Sequence, residues 1–158
     1  MTTKAIRELL AEQRQERKRI EELEEPFDRE DVAAAALMVE CARIDGEFVE
    51  EEREAICRAV REDLDLSREM AECLVAVAEK REDEVWHDFL FTETIKTNFG
   101  ADEQLAVIRR LWEVALADGA ADLFEEQLIS RVGRELEISE EALRESRERA
   151  RERMGIGA

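Results

Sequence analysis

A single histidine, a single proline and six glycines are spread over 158 residues, and each scarcity closes a class of function. His87 stands alone, so a helical di-iron centre cannot be built around Glu84 and His87, because that centre needs two Glu-x-x-His pairs. One histidine with no nucleophile elbow and no oxyanion loop also gives no basis for a Ser-His-Asp or Cys-His site. His87 reads as a surface or hydrogen-bonded histidine. The glycines never gather into a phosphate-cradling loop. Cys41, Cys57 and Cys73 form no C-x-x-C pair. Each lies in an apolar helical context and reads as a reduced core residue of a cytoplasmic protein, not as a metal ligand or half of a disulfide. No apolar run approaches the ~18 residues of a membrane span, and Met1 to Ile6 lead straight into charged sequence. The expectation is no signal peptide and no membrane insertion.

Positive charge is also short. Lys and Arg number 24 against 42 Asp and Glu, a net charge of −18. That balance excludes nucleic acid, whose phosphates need clustered Lys and Arg, and anionic membrane surfaces. It suits cation binding or plain solubility. What is present is a globular hydrophobic fraction of 44% beside 42% charged residues. Rich in Ala, Glu, Leu and Arg, the chain points to helices with solvated faces, in one domain large enough to bury a core.

Residues 4–24 read as a helix, but Gln13 to Arg19 are polar all round. A solvated extension is favoured there over a partner-binding or dimer helix. Pro26 ends it, and Asp28 or Asp31 can cap the Ala-rich helix from Val32 to Ile44. A helix from Glu50 to about Asp63 carries Ala55, Ile56, Ala59 and Val60 on one face. Ser67 caps the next, with Met70, Cys73, Leu74, Val77 and Ala78, and Lys80 to Glu84 read as a linker or frayed end. Val85 to Phe99 form a helix with an aromatic face, closed by Gly100. Trp86, Phe89, Phe91, Phe99 and Trp112 have the helical spacing of core rather than of a ligand pocket. Helices follow over Asp102–Ala117 and Asp122 to about Leu136, and Ser139 caps the last. Arg144 to Arg153 read as a solvated charge run. With no strand signal, the fold class is all-α with seven to eight helices. The domain reading is an N-terminal helical extension at 1–26, one helical domain at 27–147 and a polar tail at 148–158.

An internal repeat organises the chain. Placing Asp45 on Asp118 brings Glu52 onto Glu125, Ile56 onto Ile129, Arg58 onto Arg131 and Arg61 onto Arg134. After one gap Leu66-Ser67 falls on Ile138-Ser139. Each unit is helix, acidic turn, helix, capped helix. The two units are expected to pack about a pseudo-twofold axis, as one bundle-like domain.

The acidic turns are the candidate sites. Gly119 supplies a left-handed residue at a helix end, and Asp122 with Glu125 has capping-box spacing. Turn chemistry therefore accounts for those three. It does not account for Asp118 or Asp45, each an acid at a helix C-terminus, where the helix dipole disfavours negative charge. A nearby cation would resolve the conflict. Asp45, Glu47 and Glu52, or Asp118, Asp122 and Glu125, offer only hard oxygen ligands, which suit Ca²⁺ or Mg²⁺. Val49 stands where the second unit has Asp122, and Ala120 where the first has Glu47. The pattern is not an EF-hand, because glycine directly follows the first aspartate.

The paired Asp-Gly turns, the segment Phe89-Leu-Phe-Thr-Glu-Thr-Ile-Lys-Thr-Asn-Phe99 and the run Leu111-Trp-Glu-Val-Ala-Leu-Ala-Asp-Gly119 resemble the tellurite-resistance TerB family, in its uncharacterised bacterial branch. The resemblance spans about residues 30–147. It implies an all-helical domain with an acidic, metal-associated surface, linked to tellurite and other chemical stress, with no established enzymatic activity. Its pattern falls on Asp45, Glu47, Glu52, Asp118, Asp122 and Glu125. The expected function is non-enzymatic binding of a divalent cation or a protein partner at these turns. The alternative is an adaptor with no metal site that binds a protein, or a second copy of itself, through its terminal helices.

Overall fold

The computed structural model describes residues 3–24, 27–44, 46, 48–84, 89–117 and 119–156, with backbone only for 16–24 and 89. Among the described residues eight helices run in order: α1 (Thr3–Glu24), α2 (Arg29–Arg43), α3 (Glu50–Leu64), α4 (Arg68–Glu84), α5 (Phe89–Asn98), α6 (Ala101–Ala115), α7 (Leu123–Glu135) and α8 (Glu140–Arg153). No strand occurs among the described residues. None of the described helices is long and apolar enough to cross a membrane.

Helix α2 is the hub. Val32 to Val39, Cys41 and Ala42 are all buried, and the run Ala33–Ala36 keeps the helix narrow enough for α3, α4, α5, α6 and α7 to pack around it. The repeat is visible as two units, α2–α3–α4 and α6–α7–α8, with α5 between them. Within each unit the first helix packs along the third, α2 on α4 and α6 on α8. Between units the second helix crosses to the other unit's first, α3 onto α6 and α7 onto α2. That exchange is the expected pseudo-twofold.

The backbone repeats as well. Helices α3 and α7 both end on an acid in the left-handed region, Asp65 (φ +52°) and Glu137 (φ +60°). In each case the next residue's N–H reaches back five residues, Leu66 to the Arg61 carbonyl (3.2 Å) and Ile138 to the Gly133 carbonyl (2.9 Å). This satisfies carbonyls that the helix end leaves without partners. The expected caps on the following helices are present: the Met70 N–H donates to Ser67 Oγ and the Ala142 N–H to Ser139 Oγ, both 3.2 Å.

Three expectations from the sequence are corrected. Lys80–Glu84 is neither linker nor fray but the last turn of α4. Arg43, at the end of α2, binds Glu82 (2.7 Å) and Asp83 (2.6 Å) and holds that turn down. Gly100 does not close α5 in a left-handed conformation; its φ of −76° and ψ of 177° are extended, and it is the N-cap of α6, with its N–H donating to Glu103 Oε1 (3.1 Å). The run Arg144–Arg153 is solvated on one side only: as part of α8 it packs on α6 and buries Ser146 and Ala150. Arg147 stacks over the Trp112 ring at 5.3 Å, and Arg153 pairs with Glu62 and Glu113. Among the aromatics, Phe91 and Trp112 are core residues and Phe99 packs against the core, as their spacing suggested. Trp86 and His87 lie outside the described residues, as does the Phe89 side chain.

Candidate metal centre

Both turns begin with the same backbone step. Gly46 (φ +92°) donates its N–H to the Arg43 carbonyl, and Gly119 (φ +111°) to the Leu116 carbonyl, each at 2.9 Å. A Cβ at either position meets nothing within 4 Å, so glycine is required there by φ and not by space. The second turn then forms the expected capping box. The Glu125 N–H donates to Asp122 Oδ1 (2.8 Å) and the Asp122 N–H donates to Glu125 Oε1 (3.1 Å). The first turn has half of it. Val49 cannot accept, but its N–H donates to Glu52 Oε1 (3.2 Å).

Glu52 and Glu125 are thus equivalent in position, and each is only 4% exposed. They also converge. Cys41 on α2 is fully buried, with its thiol donating to the Leu111 carbonyl (3.8 Å). That thiol is held well above the usual cysteine range, first by burial and then by the charges of Glu125, Glu52, Glu40 and Asp122. Carboxylates from both units therefore lie close enough to one α2 side chain for their fields to add there. Cations flank these acids. Arg43 and Arg53 each lie 5.8 Å from the Phe48 ring, yet their guanidinium ion pairs go to α4, to Glu82 and Asp83 and to Glu79. Arg131 lies 3.8 Å from Glu40 and 3.7 Å from Glu135.

Of the residues singled out in the sequence, Asp122 and Glu125 are bonded to each other in the second turn and Glu52 caps the first. Asp45, Glu47 and Asp118 lie outside the described residues. Among the described residues no group of three or more His, Cys, Asp or Glu side chains is arranged to hold a metal ion. Sequence reasoning missed Glu40 and the position of Cys41. The available signal was Glu40 itself, the one acid between Val32 and Ile44 in an otherwise apolar helix.

A family model described as tellurite resistance protein TerB matches residues 31–148. The chain belongs to the TerB family. No curated protein and no solved structure matches it. The TerB match runs from the first turn of α2 into α8, so it takes in both acidic turns and leaves α1 outside.

Proposed function

We propose that this TerB-family chain is a non-enzymatic protein of tellurite and chemical stress that holds one divalent cation, Ca²⁺ or Mg²⁺, between its two acidic turns. The observation that carries the reading is the pair Glu52 and Glu125. They come from different units, both are 4% exposed, and both press on the same Cys41 thiol. Capping accounts for one oxygen of each glutamate. Together with Asp122 they offer carboxylate oxygens, the hard donors that Ca²⁺ and Mg²⁺ take. In this reading Glu52, Asp122 and Glu125 supply part of a hard oxygen set, and Asp45, Glu47 and Asp118 complete it from the turns. The ion would stabilise both helix starts at once and fasten one unit to the other.

The test is thermal unfolding of chelator-treated protein titrated with Ca²⁺ and Mg²⁺. Binding to the folded state adds about 2.7 kcal/mol at a hundredfold excess over Kd. Glu125→Gln separates the two roles, because glutamine still accepts the N-cap N–H but brings no charge. It should keep the ion-free melting temperature and lose the response to the ion. An unresponsive wild type, or an equal response in Glu125→Gln, removes the proposal.

A further inference from the structure

A cavity of about 220 Å³ lies between the first half of α2, the end of α3 and the start of α6. Its walls are mostly apolar, with Met38 from α2, Val60 from α3, Val107 from α6 and Phe99 just before α6. Alanines make the room. Carried back along α2, the repeat sets Ala34 on Val107 and Ala35 on Ile108, so α2 has small side chains where α6 has large ones. Asp31, Asp63 and Glu103 also line the cavity. Two of these acids are engaged. Asp63 gives both oxygens to Arg110 (2.9 and 2.5 Å), and Glu103 gives one to the Gly100 N–H (3.1 Å). No hydrogen bond or ion pair holds the Asp31 carboxylate among the described residues. Its counterpart in the repeat is neutral and bonded: Gln104 donates its Nε2 to the Phe99 carbonyl (2.8 Å). The start of α2 has no need of a further acid, because Asp28 and Glu30 already set negative charge there.

We propose that this cavity binds a small apolar amine as its ammonium ion, with the charge on Asp31 and the apolar body against Met38, Val60 and Val107. An apolar-walled recess with a few convergent polar groups is the usual form of a small-molecule site. The charges choose the guest. An ionised Asp31 is disfavoured first by burial and then by Asp28, Glu30 and Glu103. An ammonium offsets that charge and brings three hydrogen-bond donors. An anion would add to the repulsion, and a neutral guest would take water from Asp31 and return nothing. Bare Ca²⁺ or Mg²⁺ suits the walls poorly, because either takes about six or more oxygen ligands. Size sets the limit. At liquid water's ~30 Å³ per molecule, the cavity admits about seven non-hydrogen atoms. The site is separate from the acidic turns. Asp31 lies ten residues before Cys41 on α2, about 15 Å along the helix, so this proposal does not depend on the cation.

Cyclohexylamine is the probe and cyclohexanol its neutral counterpart, each titrated at pH 7 into the full chain carrying ¹³C-methyl methionine. Met38 lines the cavity, whereas Met70 and Met154 do not and serve as controls. The Met38 methyl signal should shift and saturate with a Kd of about 1 mM for the amine. The alcohol should bind at least about tenfold more weakly. Asp31→Asn should keep its helical circular dichroism and bring the amine down to the level of the alcohol. Ala34→Val, which puts the second unit's residue into the first, should weaken both probes by narrowing the cavity. A Met38 signal unmoved at about twenty times that Kd overturns the proposal. So does equal binding of amine and alcohol, or undiminished amine binding in Asp31→Asn. Equal shifts at Met38, Met70 and Met154 overturn it as well, because they mean general attraction to an acidic surface.

Discussion

Asp31 stands in the first turn of α2, half-buried, and shares a mostly apolar cavity with Asp63 and Glu103. Its carboxyl is raised to about 6, first by burial and then by the charges of Asp28, Glu30 and Glu103. The folded chain therefore holds this proton more tightly than the unfolded chain, where the group titrates near ~3.9. Its contribution to stability is intact below about pH 4 and is lost as pH rises through 6. At pH 7 the ionised Asp31 is a liability, so Asp31→Asn should raise the melting temperature there and give no gain at pH 4. An equal gain at both values would mean that packing, not charge, is responsible. Arg110 shows the opposite balance. It is 8% exposed, and its guanidinium grips Asp63 through two bonds (2.9 and 2.5 Å), Glu113 (2.8 Å) and Glu62 (3.1 Å). Burial alone would lower its pKa, but the hydrogen bonds to Asp63 and Glu113 outweigh that and raise it. Arg110→Met leaves Glu113, whose side chain is only 12% exposed, with Arg153 alone. The expected cost is about 2–4 kcal/mol, toward the lower end because Asp63 is partly solvated, and chemical denaturation measures it.

Helix α7 meets α8 at Gly133, which is buried. A Cβ there would come within 2.5 Å of the Leu143 side chain, so the glycine leaves room for that leucine to lie over α7. The repeat places Val60 at this position in the first unit, so the two units are not interchangeable at their third helix. Gly133→Ala gains about 1 kcal/mol of helix propensity and sets it against an overpacking cost of about 1–3 kcal/mol. A net loss of about 1 kcal/mol is expected in urea denaturation, and adding Leu143→Ala should relieve the clash, giving a double variant better than the sum of the singles. The element scale also shows what could be read from the sequence. Helix starts were legible, because Ser67, Ser139 and the Asp122–Glu125 pair act through their own neighbours. The repeat made Glu52 and Glu125 equivalent before any contact was known. What was not legible depends on distant partners. The charged ends of α4 and α8 look solvated until Arg43 and Trp112 are placed beside them. A glycine chosen for helix contact and one chosen for φ look alike in sequence, and Gly100, which is neither, was misread for that reason. The Arg110 network joins positions 47 and 48 residues apart and leaves no local pattern.

At the scale of the whole molecule, the pseudo-twofold turns a local question into a stoichiometric one. Two acidic turns on separate faces would be two half-sites, each short of ligands, because Val49 replaces one candidate and Ala120 another. On the proposed reading, α3 crossing onto α6 and α7 onto α2 sets Glu52 and Glu125 in one centre, and the charges of both act on the Cys41 thiol. If the turns act as one centre, calorimetric titration of the chelator-treated chain should give one ion per chain, not two. Either Glu52→Gln or Glu125→Gln should then abolish that heat, and the double variant should lose no more than either single one. Two separate sites predict the reverse, with half the stoichiometry left after each substitution and losses that add. The ion-free proteins give an independent sign. If the two glutamate charges repel each other across one centre, removing either should leave stability unchanged or higher at pH 7. Removing the second should then yield less than the first, because the repulsion has already been relieved. A clear loss of ion-free stability in each variant would show instead that the glutamate charges are held by partners inside the folded chain, and that the region needs no cation.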